Sequence, residues 1–381
     1  MLPAPSPDAL AHSQRVTAHL RSLIQNSGGW ISFAHYMEAA LYAPGLGYYA
    51  AGAMKFGAAG DFVTAPELTP LFGRTIARAI APALAETRGD ILELGAGSGR
   101  LAVDALGELE RCNALPARYC ILEVSADLRQ RQQERIAREL PHLAGRVQWL
   151  DALPHAFCGV ILGNEVLDAL PVELIHWTEN APMLRGVTLE NDAFTWQDQP
   201  IADPALRARA DALNLAPGYL SEINLAADAL LASLGNVLEH GLILLIDYGF
   251  SASEYYHPQR HMGTLRAHYR HHALDDPFYL PGLCDLTAHV DFSAIARAGE
   301  TAGLTLAGYA SQANFLLNAG LTELLMQTPP TDAAAFLPQS NAVQRLLSPA
   351  EMGDLFKVIG FNKRFDTPLA GFARGDRRHT L

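Results

Sequence analysis

Between an apolar run and the start of a helical pattern, the chain reads Glu93-Leu94-Gly95-Ala96-Gly97-Ser98-Gly99. Three glycines on alternate positions at that junction narrow the fold more than any other feature. Glycine is needed where a backbone turns through positive φ or approaches a ligand without a Cβ in the way. The preceding run, Ile91-Leu92-Glu93-Leu94, has the length and character of a buried strand. Beyond the turn, Leu101, Ala102, Ala105, Leu106 and Leu109 fall on one helical face. A strand, a sharp turn and a helix start with unpaired N–H groups together make a ligand-binding corner of an α/β sheet.

The same alternation continues downstream. Tyr119 to Val124 reads as a second strand, Ala126 to Leu140 as a second helix, Val147 to Leu150 as a third strand and Gly159 to Gly163 as a fourth. Buried strands alternating with helices predict a parallel sheet covered on both faces, over roughly 68–170. Leu68, Leu71, Phe72, Ile76, Ala79, Ile80 and Ala83 predict a helix upstream, with Thr69 as N-cap and Pro70 at its first position. Val172 to Trp177, Met183 to Leu189 and Phe194 to Trp196 read as an antiparallel insertion, at about 172–200. A helix is expected from Ser221 to His240, closed by Gly241 at C′. The apolar strand Leu242 to Ile246 follows and ends in Asp247-Tyr248-Gly249. Residues 251–290 show weak periodicity and read as a long loop insertion. A helix over Phe292 to Ala302 and a last strand over Phe356 to Ile359 complete the pattern. The division expected is an N-terminal helical region with a lid-like loop over 1–67, then one α/β domain over 68–381.

Composition excludes several classes. With 381 residues, 49% hydrophobic and 18% charged, the chain can build a sizeable core and is not a disordered polymer. No apolar run approaches the ~18 residues of a membrane-spanning helix. A formal charge of −12 argues against a chain-wide nucleic-acid footprint. Cys112, Cys120, Cys158 and Cys284 form no C-x-x-C pair, which argues against a structural zinc site or a disulfide framework. Met1 to Gly29 has neither a secretion signal nor an Arg-rich transit composition, which predicts a cytoplasmic protein.

The glycine turn admits several ligands. A dinucleotide fingerprint is G-x-G-x-x-G, but here the third Gly falls one residue early and Arg100 follows it. A P-loop would need Gly-Lys-Ser/Thr, which is absent. The pattern E-x-G-x-G-x-G is instead similar to the first motif of class I S-adenosylmethionine-dependent methyltransferases. Glu123, at the end of the second strand, is placed to accept hydrogen bonds from ribose hydroxyls. A turn flanked by Glu93, Glu123 and Asp151 suits a sulfonium cation better than a pyrophosphate. The bland alternative is a strand–helix turn with no ligand.

Beyond the fourth strand lies Gly163-Asn164-Glu165-Val166-Leu167-Asp168-Ala169-Leu170-Pro171. Asn164 could cap a helical turn there, which would put Glu165 and Asp168 at i and i+3 on one face. Those acids then either complement a helix dipole or face the group being methylated. A planar guanidinium matches carboxylates well, and a carboxylate could hold the nucleophilic nitrogen and take its proton. Tyr248 could line the same pocket or simply pack.

These residues and several longer strings resemble the MidA family of class I methyltransferases, related to the mitochondrial complex I assembly-factor arginine methyltransferase. The strings are Ile31-Ser32-Phe33 with Tyr36-Met37-Glu38, Ala40-Leu41-Tyr42-Ala43-Pro44 with Gly47-Tyr48-Tyr49, and Gly60 to Glu67 with Phe72-Gly73. Glu93 to Gly99, Asn164-Glu165 with Asp168 to Pro171, Asp247-Tyr248-Gly249, Gly263-Thr264-Leu265-Arg266 and Asp285 to Phe292 continue the series. The resemblance implies a Rossmann-like, seven-stranded, mostly parallel sheet with N-terminal helices and inserted segments. It implies S-adenosyl-L-methionine as methyl donor, with Gly95, Gly97 and Gly99 as the cofactor loop and Glu123 as ribose partner. Asp151 then takes the adenine side, and Asn164 and Glu165 line the methyl side with Asp168. It also implies a protein substrate, an arginine on a complex I subunit. Asp61 or Glu67 could contact the cofactor, or Gly60 to Glu67 could only anchor the following helix. The histidines of 251–290 show no H-x-x-x-H helix with a nearby acid, so that segment argues for substrate gating rather than a metal. Open alternatives are a different nucleophile, including a small molecule, an assembly factor that holds the cofactor without catalysis, and a nicotinamide oxidoreductase, which Arg100 disfavours.

Overall fold

The computed structural model describes residues 2–51 and 64–381. Its main sheet has seven strands in one path: β1 (Asp90–Leu94), β2 (Tyr119–Leu122), β3 (Val147–Leu150), β4 (Phe157–Asn164), β5 (Leu238–Phe250), β6 (Thr305–Ser311) and β7 (Phe356–Lys363). Their spatial order is β3-β2-β1-β4-β5-β7-β6. The five strands from β3 to β5 are parallel, and β7 runs antiparallel to both its neighbours. A short eighth strand, Val290–Asp291, pairs parallel to the end of β5. The strand order reverses between β1 and β4, and the glycine turn sits at that switch point.

All five residues of β1 are buried, as a central strand covered on both faces requires. One face packs against the helices Pro70–Thr87 and Arg100–Arg111. The other packs against Leu225–Val237 and Phe292–Thr301. Thr69 caps the first of these helices, accepting from the Leu71 N–H at 3.2 Å, with Pro70 at N1. Leu71, Phe72, Ile76, Ala79, Ile80 and Ala83 of the predicted set lie on its buried side, while Leu68 belongs to a separate short helix, Ala65–Leu68, and is half-buried.

The insertion is larger than its own hairpins. Glu173–Trp177, Pro182–Glu190 and Ala193–Pro200 pair antiparallel, and Trp30–Ser32 and Leu220–Ile223 extend the sheet to five strands. Val16, Phe33 and Tyr36 from the N-terminal region share one core with Val172, Leu174, Val187 and Leu286. The stretch 251–290 is not one structureless loop. Arg266–Tyr269, His272–Leu274 and Asp285–Thr287 form a three-stranded sheet within it.

The helix expected over Ser221 to His240 is shorter. Ser221 to Ile223 belong to a strand, Asn224 caps a helix over Leu225–Val237, and β5 already begins at Leu238. The leucines at 225, 231, 234 and 238 keep a helical spacing across the boundary, which hides where the chain straightens. Gly241 is therefore no helix cap but lies inside β5, at φ +145°. It pairs with Gly159 of β4, itself at φ +130°, which pairs with Asp90 of β1. A Cβ on Gly241 would lie 1.9 Å from the Gly159 carbonyl oxygen, backbone that cannot retreat. Gly241→Ala is therefore expected to cost roughly 3 kcal/mol or more, at the upper end of single-residue effects. Gly145→Ala meets nothing within 4 Å and serves as the control. Urea midpoints of both variants check this, and equal midpoints would refute it.

Candidate functional site

The glycine turn is built as the sequence demands. Gly95, Gly97 and Gly99 have φ of +59°, +53° and +78°, all in the left-handed region that side chains avoid. The Gly95 N–H donates to the Leu122 carbonyl at 3.1 Å, which ties the turn to the end of β2. Glu93 is buried behind it and accepts from the Tyr119 hydroxyl at 2.8 Å. Burial, with the nearby Glu123 charge, lifts its carboxyl to about 7 against the pull of that hydrogen bond.

At the tip of β2, both oxygens of the buried Glu123 are anchored. Oε1 accepts from the Ser125 N–H at 2.9 Å, and Oε2 from the Gln132 amide at 3.0 Å. Val124, next in the chain, exposes 78% of its surface beside them, an apolar face suited to a flat base. Asp151, just past β3, is exposed and ion-paired to Arg129 at 2.6 Å. Arg129 also reaches the Leu150 and Glu123 carbonyls, so it laces the tips of β2 and β3 together. Glu67 accepts a hydrogen bond from Ser98 inside the turn and lies 3.6 Å from Arg135. Asp61, the other acid expected near the cofactor, lies outside the described residues.

The end of β4 differs from the expectation in one respect. Asn164 caps no helical turn, because residues 165–170 form irregular turns and Glu165 sits at φ +54°. Asp247, from the neighbouring β5, does that work instead. Its Oδ2 accepts from the N–H groups of Val166, Leu167 and Asp168 at 3.1, 2.8 and 3.3 Å, and the residue is wholly buried. Glu165 and Asp168 still share one site, though not by helical spacing. The Asn164 amide donates to Glu165 Oε1 at 3.0 Å. The Tyr248 hydroxyl donates to Asp168 Oδ2 at 2.7 Å, so Tyr248 lines the site rather than merely packing. Its ring stands edge-on to His289 at 5.1 Å. The Ala288 N–H donates to the Asp168 carbonyl and the Tyr42 hydroxyl to the Ala169 carbonyl. The distant strings around 42, 168, 248 and 288 thus meet at one place. Burial pushes the Asp168 carboxyl up to about 6. Burial and the Asp168 charge push Glu165 up to about 8.

The residues fit a cationic adenosyl ligand on structural grounds. The turn presents three positions without Cβ atoms at positive φ, and among the described residues Glu93, Glu123 and Glu67 lie around it. Arg100, the nearest base in the following helix, is spent on Asp104 and Glu139. Two buried oxygens, Asn164 Oδ1 and Asp168 Oδ1, have no hydrogen-bond partner among the described residues. Buried polar atoms without partners are uncommon and point to a missing ligand atom. Among the described residues no group of three or more His, Cys, Asp or Glu side chains is arranged for a metal. Gln132 carries no signal in the sequence, and Asp247 stands there only within the string Asp247-Tyr248-Gly249 with no role of its own, because each looks like an ordinary polar residue of a helix or strand end. Only their complete burial marks them.

A seven-strand sheet of this order, a glycine turn at its switch point and an acid at the next strand tip define a Rossmann-like S-adenosyl-L-methionine-dependent methyltransferase. The chain belongs to the family described as "putative S-adenosyl-L-methionine-dependent methyltransferase", whose profile matches residues 75–310. A Burkholderia thailandensis protein with S-adenosyl-homocysteine bound in its crystal structure is 51% identical over 100% of both chains, at a TM-score of 0.97. A native crystal structure from the same organism is 50% identical over 100% of both chains, at 0.94. Protein arginine methyltransferase NDUFAF7, mitochondrial, of Danio rerio is 28% identical, over 91% of this chain and 86% of that protein. The protein of that name in Homo sapiens is 27% identical, over 90% and 83%.

Proposed function

We propose that the chain methylates a guanidinium nitrogen of an arginine in a protein, with a respiratory complex I subunit as the acceptor to test first. The observation that carries this reading is the pair Glu165 and Asp168, two acids held beside the glycine turn, with Asp168 Oδ1 lacking a hydrogen-bond partner among the described residues. Relatives named as protein arginine methyltransferases support it.

The chemistry follows from what these side chains can hold. S-adenosyl-L-methionine supplies an electrophilic methyl on a sulfonium. Methyl transfer is an in-line displacement, so fixing the acceptor nitrogen supplies much of the rate. At neutral pH Asp168 is largely ionised and Glu165 largely protonated, given carboxyls near 6 and 8. The pair then carries about one negative charge, which matches one guanidinium. Asp168 Oδ1 accepts one N–H while Tyr248 fixes Oδ2, so the carboxylate cannot swing away. The proton released on N-methylation passes to a carboxylate of the pair.

A pH dependence follows. The ionised acids bind the cation, so kcat/KM rises with pH as Asp168 loses its proton near 6 and rises again as Glu165 does near 8. Glu165→Gln should remove the upper rise and leave the lower. Initial rates from pH 5.5 to 9 check this, and a flat wild-type profile would contradict the assignment. The acceptor class is tested with isotope-labelled methyl donor, complex I subunits and mass spectrometry. Label on lysine, carboxyl or a small molecule, with none on arginine, would overturn the guanidinium reading.

A further inference from the structure

Gln132 lies on the helix Ala126–Glu139, whose sequence is strongly polar, yet its side chain is wholly buried. Its amide is engaged across three other elements. Nε2 donates to the Gly97 carbonyl at 2.9 Å and to Glu123 Oε2 at 3.0 Å. Oε1 accepts from the Trp149 indole at 2.8 Å. Chemistry fixes the orientation of the amide: an indole N–H only donates, and a carbonyl and a carboxylate only accept. The glycine turn also rests on this side chain, since a Cβ on Gly99 would lie 3.3 Å from Gln132 Cγ.

We propose that Gln132 is the positioning residue for the nucleoside end of the cofactor. It sets the turn at Gly97 and the carboxylate of Glu123 at one fixed separation, with β3 bracing it through Trp149. The inference rests on reading Glu123 as the ribose partner. A carboxylate held at both oxygens, by Ser125 and Gln132, keeps one fixed orientation, as hydrogen bonding to two neighbouring hydroxyls requires. A glutamine is needed because Gly97 and Glu123 both accept, so the group between them must donate twice. Among the described residues the charged groups around it are Glu123 with Glu93 behind it, Glu67 paired to Arg135, and Arg129 paired to Asp151.

The test is S-adenosyl-homocysteine affinity by calorimetry, with intrinsic tryptophan fluorescence as a second signal, from pH 5.5 to 8.5. Q132M loses both donors and no charge, so about tenfold weaker binding is expected at every pH relative to wild type. Q132E places a carboxyl against Glu123. Its affinity is expected to be about threefold weaker than wild type at pH 5.5, where a protonated carboxyl keeps one of the two donors, and about 30-fold weaker at pH 8.5. W149F, which leaves Gln132 and its neighbours intact, is expected to weaken binding about threefold and covers the case in which a Gln132 variant does not fold. On an E123A background, Q132M should weaken binding by less than half of its wild-type factor. Wild-type affinity in Q132M and W149F, or a pH response of Q132E parallel to wild type, would overturn the proposal. If E123A itself binds as wild type does, the ribose reading fails instead, and the two failures are told apart.

Discussion

Asp168→Asn is expected to lower the rate of methyl transfer by about 10³-fold, within the range for removing a general base, while S-adenosyl-homocysteine affinity stays within about threefold. The substitution keeps shape and the Tyr248 contact at one oxygen but removes the charge. It also turns one end of the group into a donor, which would face the donors of the proposed guanidinium. Among the described residues neither neighbouring acid replaces the lost carboxylate. Glu165 is largely protonated at neutral pH, and Asp247 spends its oxygens on four backbone N–H groups. Separate measurement of cofactor affinity and single-turnover rate checks the result. A variant that keeps a tenth of the wild-type rate would remove Asp168 from the chemistry and leave it a structural acid.

Gly97→Val is expected to weaken cofactor binding by at least about 100-fold, or about 2.7 kcal/mol. Two effects add. A left-handed residue other than glycine costs roughly 1–2 kcal/mol, and a β-branched one more. The new side chain also fills the cradle that the turn leaves open. The Gly97 carbonyl is held by Gln132, so the backbone cannot relax without breaking that bond. Because Gly97 lies half-buried beyond the carboxyl end of β1 rather than in the core, the melting temperature should fall by only a few degrees. Calorimetry with S-adenosyl-homocysteine, paired with a thermal melt, separates lost binding from lost fold. Undiminished affinity would show that the turn does not hold the ligand. The same variant tests the assembly-factor alternative, since a partner role independent of the cofactor survives it in cells.

The donor half of the protein was open to reading because its requirements are local. Alternate glycines, an apolar strand and a one-faced apolar helix all fall within a few residues, and each has one ready physical meaning. The acceptor half was harder. Glu165 and Asp168 were identifiable as acids beyond a strand, but helical spacing was the wrong reason for their meeting. They converge because Asp247, about 80 residues later in the chain, gathers the backbone between them. Gln132 was invisible for a related reason. It sits among Arg, Gln and Glu on an exposed-looking helix, and nothing nearby signals that one of these polar side chains points inward. The helix forecast over Ser221 to His240 failed because a leucine spacing ran unbroken from helix into strand. Gly241, taken for a cap, is instead required by the close approach of β4 and β5. Polar residues whose partners are distant leave no pattern in a linear chain.

The strand Trp30–Ser32 has its own consequence for synthesis. Trp30 pairs with Thr188, so the wall carrying Tyr42 closes only when a loop of about 160 residues has been gathered. β1 and β2 with their glycine turn form from neighbouring sequence and need no such closure. A nascent chain emerging from the ribosome would hold the glycine turn well before it had anywhere to seat a methyl acceptor.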